Sequence, residues 1–132
     1  MCWGTSGSGR LGNGTTNPDI ALPAEVSNGI KYSRVAAGYE HSCGLGLNGG
    51  VFCWGNGSQG QLGNGSLGSS STPVAVLGGL MFTHVSIDAT FPGHTCGVAT
   101  TGAYCWGRNN NGELGDGSQI QSSVPVRVKG SR

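Results

Sequence analysis

One pattern occurs three times along the chain, at residues 2–15, 53–66 and 105–118. Each copy opens with Cys-Trp-Gly and closes with Leu-Gly, then Asn or Asp, Gly, and Ser or Thr, and its Trp and Leu are always eight residues apart. Successive copies are offset by 51 and then 52 residues. A repeat of about 50 residues with strand-like segments and regularly placed Gly and aromatic residues is typical of a solenoid or a propeller.

The segments between the copies alternate in the manner of short β-strands separated by turn residues. Each complete unit begins at a proline, Pro23 or Pro73. This division gives about two and a half repeats, in four repeat pieces: 1–22, 23–72, 73–124 and 125–132. The last piece stops soon after its first strand, so we expect it to begin a unit that the 132 residues do not finish.

Charged residues make up only 10% of the sequence, with seven Lys and Arg against six Asp and Glu. Proteins that bind a phosphate backbone present a clear excess of Lys and Arg, so we expect no nucleic-acid partner. The longest apolar stretch, residues 74–82, contains two glycines and is far shorter than the ~20 residues that span a bilayer, so no membrane insertion is expected. The repeat follows Met1 directly, and no targeting segment is visible.

The five cysteines form two pairs and one remainder: Cys43 with Cys53, Cys96 with Cys105, and Cys2 alone. A two-residue hairpin loop at residues 100 and 101 would place Cys96 directly opposite Cys105, within reach of a disulfide. The turn at residues 48–50 is longer, and Cys43 faces Cys53 only if a glycine bulge absorbs the odd residue. We therefore predict two cross-strand disulfides, with five buried thiols as the alternative.

By the same spacing, the partner of Cys2 would lie about ten residues before Met1. We expect Cys2 to be unpaired or to form an interchain bond. The 132 residues are expected to belong to a longer chain, or to a homo-oligomer joined through open blade edges. Because disulfides persist in oxidising compartments, they predict an extracellular or cell-surface location.

Two further patterns look like functional motifs, and we interpret both as structural. His41 with Cys43, and His94 with Cys96, offer pairs of zinc-type ligands, but no compact group of four occurs. Residues 7–12 match the G-x-G-x-x-G pattern of dinucleotide binding, yet the other two copies lack it. The six acidic residues have no spacing suited to acid-base catalysis. We expect no enzyme activity, catalytic residue, cofactor or metal.

Residues 36–43, 50–55 and 60–65 read Ala-Ala-Gly-Tyr-Glu-His-Ser-Cys, Gly-Val-Phe-Cys-Trp-Gly and Gly-Gln-Leu-Gly-Asn-Gly. In this order and at this period they resemble the repeat of the regulator of chromosome condensation family, in the cysteine-containing form of its extracellular members. The resemblance covers essentially the whole chain. It implies an all-β fold, a partial seven-bladed β-propeller whose blades are four-stranded antiparallel sheets.

The repeat also indicates which side chains fill the blade core: Trp3, Leu11, Trp54, Leu62, Trp106 and Leu114. Each Trp is expected to pack near the Leu of its own repeat, between blades, and not to form a ligand site.

Members of the family act as guanine nucleotide exchange factors on chromatin, secreted enzyme inhibitors, receptor ectodomains and photoreceptors, through loops on a propeller face. For this chain we expect a non-catalytic protein-interaction or structural scaffold module of an extracellular propeller, with an unknown protein partner. The loops that differ between the units supply the expected contacts: Tyr39, Glu40, Phe91 and Pro92. Two alternatives stay open, a guanine nucleotide exchange or chromatin-associated module and a carbohydrate-binding, lectin-like propeller.

Overall fold

Short β-strands make up the computed structural model, which describes residues 1–131. The strands are β1 (Cys2–Gly4), β2 (Ile20–Ala24), β3 (Tyr32–Ala37), β4 (His41–Gly46), β5 (Val51–Gly55), β6 (Ser70–Ala75), β7 (Phe82–Ile87), β8 (His94–Ala99), β9 (Gly102–Gly107) and β10 (Ser122–Arg127). A single 3-10 turn spans Gly7–Gly9 within the described range. No helix there is long and apolar enough to cross a membrane.

The strands form three antiparallel sheets, named here blades A, B and C. Blade A contains β1 and β2, blade B contains β3 to β6, and blade C contains β7 to β10. In blades B and C each strand pairs with the next one along the chain. Strands β3 and β4 contact β7, so blades B and C lie side by side. The predicted all-β fold with four-stranded antiparallel blades is confirmed.

The proline-containing strands lie at an edge of their sheets: Pro23 is in β2, Pro73 in β6 and Pro125 in β10. Proline has no N–H to donate to a neighbouring strand, and for this reason sheets tolerate it at their edges. Strand β10 pairs with β9, which completes blade C. Residues 122–127 thus belong to the same sheet as the strands before them, and the sheets are shifted relative to the predicted repeat pieces.

A tight hairpin joins β8 and β9 in blade C. Ala99 lies opposite Gly102, so the loop between them has two residues, as the sequence predicts. This register places Cys96 opposite Cys105, and the two form a disulfide with a Cα–Cα distance of 4.1 Å.

The hairpin between β4 and β5 in blade B has a longer turn. Gly46 N donates a hydrogen bond to Gly50 O, and Gly49 adopts a left-handed conformation at φ +85°. A glycine in this conformation is the usual residue in a three-residue hairpin loop, and it absorbs the odd residue between the strands. Cys43 therefore faces Cys53, and the second predicted disulfide is also present. Cys2 is a free thiol among the described residues.

Both fully buried tryptophans lie against a glycine of the preceding repeat. A Cβ atom on Gly12 would come within 2.7 Å of the indole nitrogen of Trp54, and a Cβ on Gly63 would come equally close to that of Trp106. The two glycines share a left-handed backbone, with φ values of +69° and +70°. Any larger residue there would collide with the indole and strain the backbone, so the glycines fix how closely adjacent blades approach.

The side chains that the sequence assigns to the blade core fall into two groups. Five of them are buried: Leu11, Trp54, Leu62, Trp106 and Leu114. The main apolar cluster contains Trp106 together with Leu62 of the preceding repeat. The sequence analysis had instead predicted packing near Leu114, in the same repeat as Trp106. Trp3, in contrast, is 60% exposed. The turn that covers each buried indole comes from the repeat before it, since Gly12 lies against Trp54 and Gly63 lies against Trp106.

We predict that Trp54→Ala lowers the free energy of unfolding by about 3–5 kcal/mol, because the change removes a fully buried aromatic side chain and leaves a cavity between blades. Chemical denaturation at low protein concentration measures the loss. The exposed Trp3→Ala change is the matched control and should cost less than about 1 kcal/mol. Equal losses in the two variants would contradict the role assigned to Trp54.

Candidate functional site

The structure brings the four predicted contact residues together on one surface, named here the loop surface and defined as Tyr39, Glu40, Phe91 and Pro92. The first two lie in the β3–β4 loop of blade B, and the other two lie in the β7–β8 loop of blade C. The rings of Tyr39 and Phe91 contact each other across the blades, with centroids 6.0 Å apart and planes tilted by 59°. These side chains are 59% and 57% exposed, so an apolar aromatic pair faces the solvent.

The β3–β4 loop is held by the turn of the blade before it. Arg10 Nη1 donates a 2.7 Å hydrogen bond to the carbonyl oxygen of Tyr39, and Arg10 Nη2 lies 3.7 Å from Glu40 Oε1. Asn56 Nδ2 donates to the other carboxylate oxygen of Glu40 at 2.6 Å. Glu40 is therefore occupied with contacts inside the protein, and Tyr39 is the more available group of this loop.

The β7–β8 loop is held in the same way. Gln61 Nε2 donates a 3.1 Å hydrogen bond to the carbonyl oxygen of Pro92. Gln61 occupies the same repeat position as Arg10, between the last Gly of the turn and the Leu. Sequence reasoning missed both residues. The sequence did contain a feature that could have pointed to them: this position carries a different polar side chain in each copy of the repeat, whereas the Gly before it and the Leu after it are the same in all three.

A buried histidine connects blades B and C under the loop surface. His41 Nε2 lies 2.8 Å from Thr95 Oγ1, and the Thr95 hydroxyl donates to the carbonyl oxygen of Gln61 at 2.9 Å. Because a hydroxyl has one proton to donate, His41 must donate to Thr95 through Nε2–H. Burial, and secondarily the nearby His94, lowers the pKa of His41 to about 4 against a weaker opposing effect of Asp88. His41 is therefore neutral near pH 7.

The charged groups beside the loop surface have polar or oppositely charged partners. Asp88 Oδ2 lies 3.5 Å from His94 Nδ1, and Arg108 Nε lies 3.6 Å from Glu113 Oε1. Hydrogen bonding by Thr90 holds the pKa of Asp88 below its usual value. The surroundings of the aromatic pair thus carry no strong excess of one charge.

The zinc alternative is disfavoured by the disulfides. Cys43 and Cys96 are both oxidised, so neither offers the thiolate that would bind zinc beside His41 or His94. Within residues 1–131, no group of three or more His, Cys, Asp or Glu side chains could hold a metal ion.

The family profile of the regulator of chromosome condensation (RCC1) repeat matches residues 2–45, 48–90 and 102–132. A second profile of the same repeat matches residues 32–61 and 85–113. The chain belongs to the RCC1 repeat family. The resemblance noted in the sequence is thereby confirmed.

Relatives of known name are similar over nearly the whole chain. It is 33% identical over 130 residues to the ultraviolet-B receptor UVR8 of Arabidopsis thaliana, which covers 96% of this chain and 29% of UVR8. It is 32% identical over 132 residues to the human E3 ubiquitin-protein ligase HERC2, covering 97% of this chain and 3% of HERC2. The chain therefore spans less than a third of the length of these relatives.

Solved structures confirm the architecture. Human WBSCR16 superposes with a TM-score of 0.79 at 25% identity, over 96% of this chain and 34% of that protein. Prp20p from Saccharomyces cerevisiae superposes with a TM-score of 0.75 at 21% identity, over 96% of this chain and 33% of that protein. Blades A, B and C therefore form part of an RCC1-type β-propeller.

The predicted extracellular or cell-surface location is wrong. A ubiquitin-protein ligase such as HERC2 and a histone-binding protein such as Prp20p work inside cells. The prediction depended on the two disulfides, which by themselves are weak evidence for an extracellular or cell-surface location.

We predict that the buried His41 makes the protein less stable in mild acid. An unfolded chain binds a proton at His41 below its ordinary pKa of 6.5, but the folded chain does so only near pH 4, so stability is lost as pH falls between these values. The loss between pH 7 and pH 5 should be roughly 2 kcal/mol in denaturation experiments.

The matched variants are His41→Gln and His84→Gln. A glutamine at position 41 can still donate to Thr95 but does not titrate, so this variant should lose most of the pH 7 to pH 5 difference. His84 is exposed, and its replacement should preserve that difference. An unchanged pH dependence in His41→Gln would refute the assignment.

Proposed function

We propose that this chain is a non-catalytic protein-interaction module and that its loop surface contacts the partner. The observation that carries the proposal is the Tyr39–Phe91 pair, which joins two blades and exposes more than half of each side chain. Exposed aromatic residues of this kind are the groups that most often dominate the binding energy of protein interfaces.

The loops that present this pair are fixed in place by the protein itself. Arg10 and Gln61 each bind a backbone carbonyl of the following blade's loop. A surface that is ordered before binding loses less conformational entropy when a partner docks, which favours affinity. The sequence analysis predicted partner contacts in these loops because the loops differ between the repeats. The hydrogen bonds from Arg10 and Gln61 that hold the loops in place support that prediction.

The relatives favour a protein partner. Prp20p binds Gsp1p and histones, and yeast RCC1 (Prp20) has been seen bound to Kap60. HERC2 is a ubiquitin-protein ligase, but this chain corresponds to 3% of it, so its catalytic activity gives no reason to propose catalysis here. The balance of seven basic against six acidic residues supports a partner other than nucleic acid.

A photo-crosslinking amino acid at position 39 or 91 tests the proposal. In extract from the source cells, both positions should trap the same protein, and the exposed Leu22 of blade A is the matched control position. With that protein purified, Tyr39→Ala and Phe91→Ala should each weaken binding by about tenfold or more in calorimetry, as expected for truncated aromatic contacts.

Three results would count against the proposal. Equal cross-linking from position 22 would show that the loop surface is not selective. Binding that survives the Tyr39→Ala, Phe91→Ala double change would place the partner elsewhere. Saturable binding of a glycan, or acceleration of nucleotide release from a small GTPase, with no dependence on these two rings would favour one of the alternative functions.

A further inference from the structure

Six asparagines in this chain are followed directly by a glycine, at positions 13, 28, 48, 56, 64 and 111. Such a pair is chemically reactive, because glycine has no Cβ atom to hinder attack by its backbone nitrogen on the asparagine side chain. The attack is intramolecular, so its rate depends on how freely the two groups can meet. The structure around each pair therefore decides which of the six reacts in the folded protein.

Five of the six glycines use their backbone N–H in a hydrogen bond. Four of these groups donate to carbonyl oxygens and one donates to the hydroxyl of Ser69, at distances between 2.9 and 3.2 Å. The five donors are Gly14, Gly49, Gly57, Gly65 and Gly112. Because the nitrogen attacks only after it has lost its proton, each of these bonds must break first, which slows the reaction.

Gly29 differs from the other five glycines. Its N–H has no hydrogen-bond acceptor among residues 1–131. Asn28 and Gly29 are both exposed, whereas each of the other five pairs has at least one residue that is buried or half-buried. A Cβ atom on Gly29 would meet nothing within 4 Å beyond its chain neighbours. The nitrogen of Gly29 is therefore both unbonded and surrounded by open space.

The second repeat shows that this exposure belongs to the loop itself. Counted from Pro23 and Pro73, the residues that correspond to Asn28 and Gly29 are Gly78 and Gly79, and both are exposed. Gly79 likewise has open space around it, and its N–H has no acceptor in the described part of the chain. This second loop connects two four-stranded sheets, blades B and C. The loop thus stays open with a four-stranded blade on either side of it.

The side chain of Asn28 is held close to the backbone that follows it. Its Oδ1 accepts a 3.0 Å hydrogen bond from Ile30 N, and its Nδ2 donates to Tyr32 Oη at 2.8 Å. The bond from Ile30 stabilises the negative charge that develops on Oδ1 when Cγ is attacked. Four of the other pairs have the same Oδ1 contact, so the free N–H of Gly29 is the feature that sets Asn28 apart.

We propose that Asn28 is a site of spontaneous deamidation and that it is the Asn-Gly pair that reacts fastest in the folded protein. The Gly29 nitrogen gives its proton to a base in solution and attacks Cγ of Asn28. The bond between Cγ and Nδ2 then breaks, and the nitrogen takes up a proton and leaves as ammonia. Water opens the resulting succinimide ring at either of its carbonyl carbons. The product is aspartate or isoaspartate at position 28, formed without any oxidant, reductant or cofactor.

The reaction changes a loop that leads directly into blade B. A carboxylate at position 28 has no N–H to donate to the hydroxyl of Tyr32, the first residue of β3. Isoaspartate also adds one carbon atom to the backbone between residues 28 and 29. The ring of Tyr32 lies 5.8 Å from that of the buried Trp54. Deamidation therefore alters a contact of the side chain that covers part of the core.

Incubation of the purified chain at neutral pH over several weeks tests the proposal. Peptide mass spectrometry locates each deamidated asparagine, and an isoaspartyl methyltransferase with labelled S-adenosylmethionine counts the isoaspartate. In the folded protein, Asn28 should react about tenfold or more faster than each of the other five asparagines, because only their reactions require a hydrogen bond to break. In guanidinium chloride the six rates should become similar, since unfolding removes those bonds.

Two variants complete the test. Asn28→Gly reproduces the residue that the second repeat has at this position, Gly78, and should remove most of the isoaspartate formed by the folded chain. Asn13→Gly is the matched control and should leave that amount unchanged, since the N–H of Gly14 is hydrogen-bonded. The proposal is overturned if Asn28 reacts no faster than the other five pairs in the folded protein, or if its lead persists in guanidinium chloride. An undiminished isoaspartate yield in Asn28→Gly would also overturn it.

Discussion

An indole seated on a glycine determines how each blade meets the one before it. The glycine must be in the left-handed region, and it must lack a side chain, because a Cβ atom would come within 2.7 Å of the ring. The repeat preserves Trp and Gly at fixed spacing for this reason, and the remaining loops are arranged around the distance that this contact sets. The close approach of blades B and C in turn lets Tyr39 meet Phe91 and lets His41 reach Thr95.

Polar contacts add to this packing of Trp on Gly and fix the orientation of each blade relative to the next. The residue just before the repeat's Leu extends to a carbonyl of the next blade's loop, as Arg10 and Gln61 both show. The backbone carbonyl oxygen of the same residue accepts a hydrogen bond from a hydroxyl group of the next blade: Ser42 donates to Arg10, and Thr95 donates to Gln61. The loop surface is therefore built from two blades, and neither blade would present it alone.

Local spacing made much of this fold predictable. The two hairpins and both disulfides were predicted from cysteines ten and nine positions apart, where the pairing of adjacent strands restricts which residues can meet. The sequence did not show where one sheet ends and the next begins. Pro73 and Pro125 look like the start of a repeat unit, but they lie in the edge strands that complete blades B and C. The contacts of Arg10 and Gln61 were also missed, since they join residues 29 and 31 positions apart and depend on how blades are placed.

The disulfides lie inside blades B and C, whereas the blades are held to each other by packing and hydrogen bonds. This division decides how the molecule would respond to a stretching force on its ends. The segments 43–53 and 96–105 are closed loops that cannot lengthen while their bridges are intact. Extension must come from the connections between blades and from the outer strands, so the covalently closed hairpins would persist as short stiff units along an otherwise extensible chain.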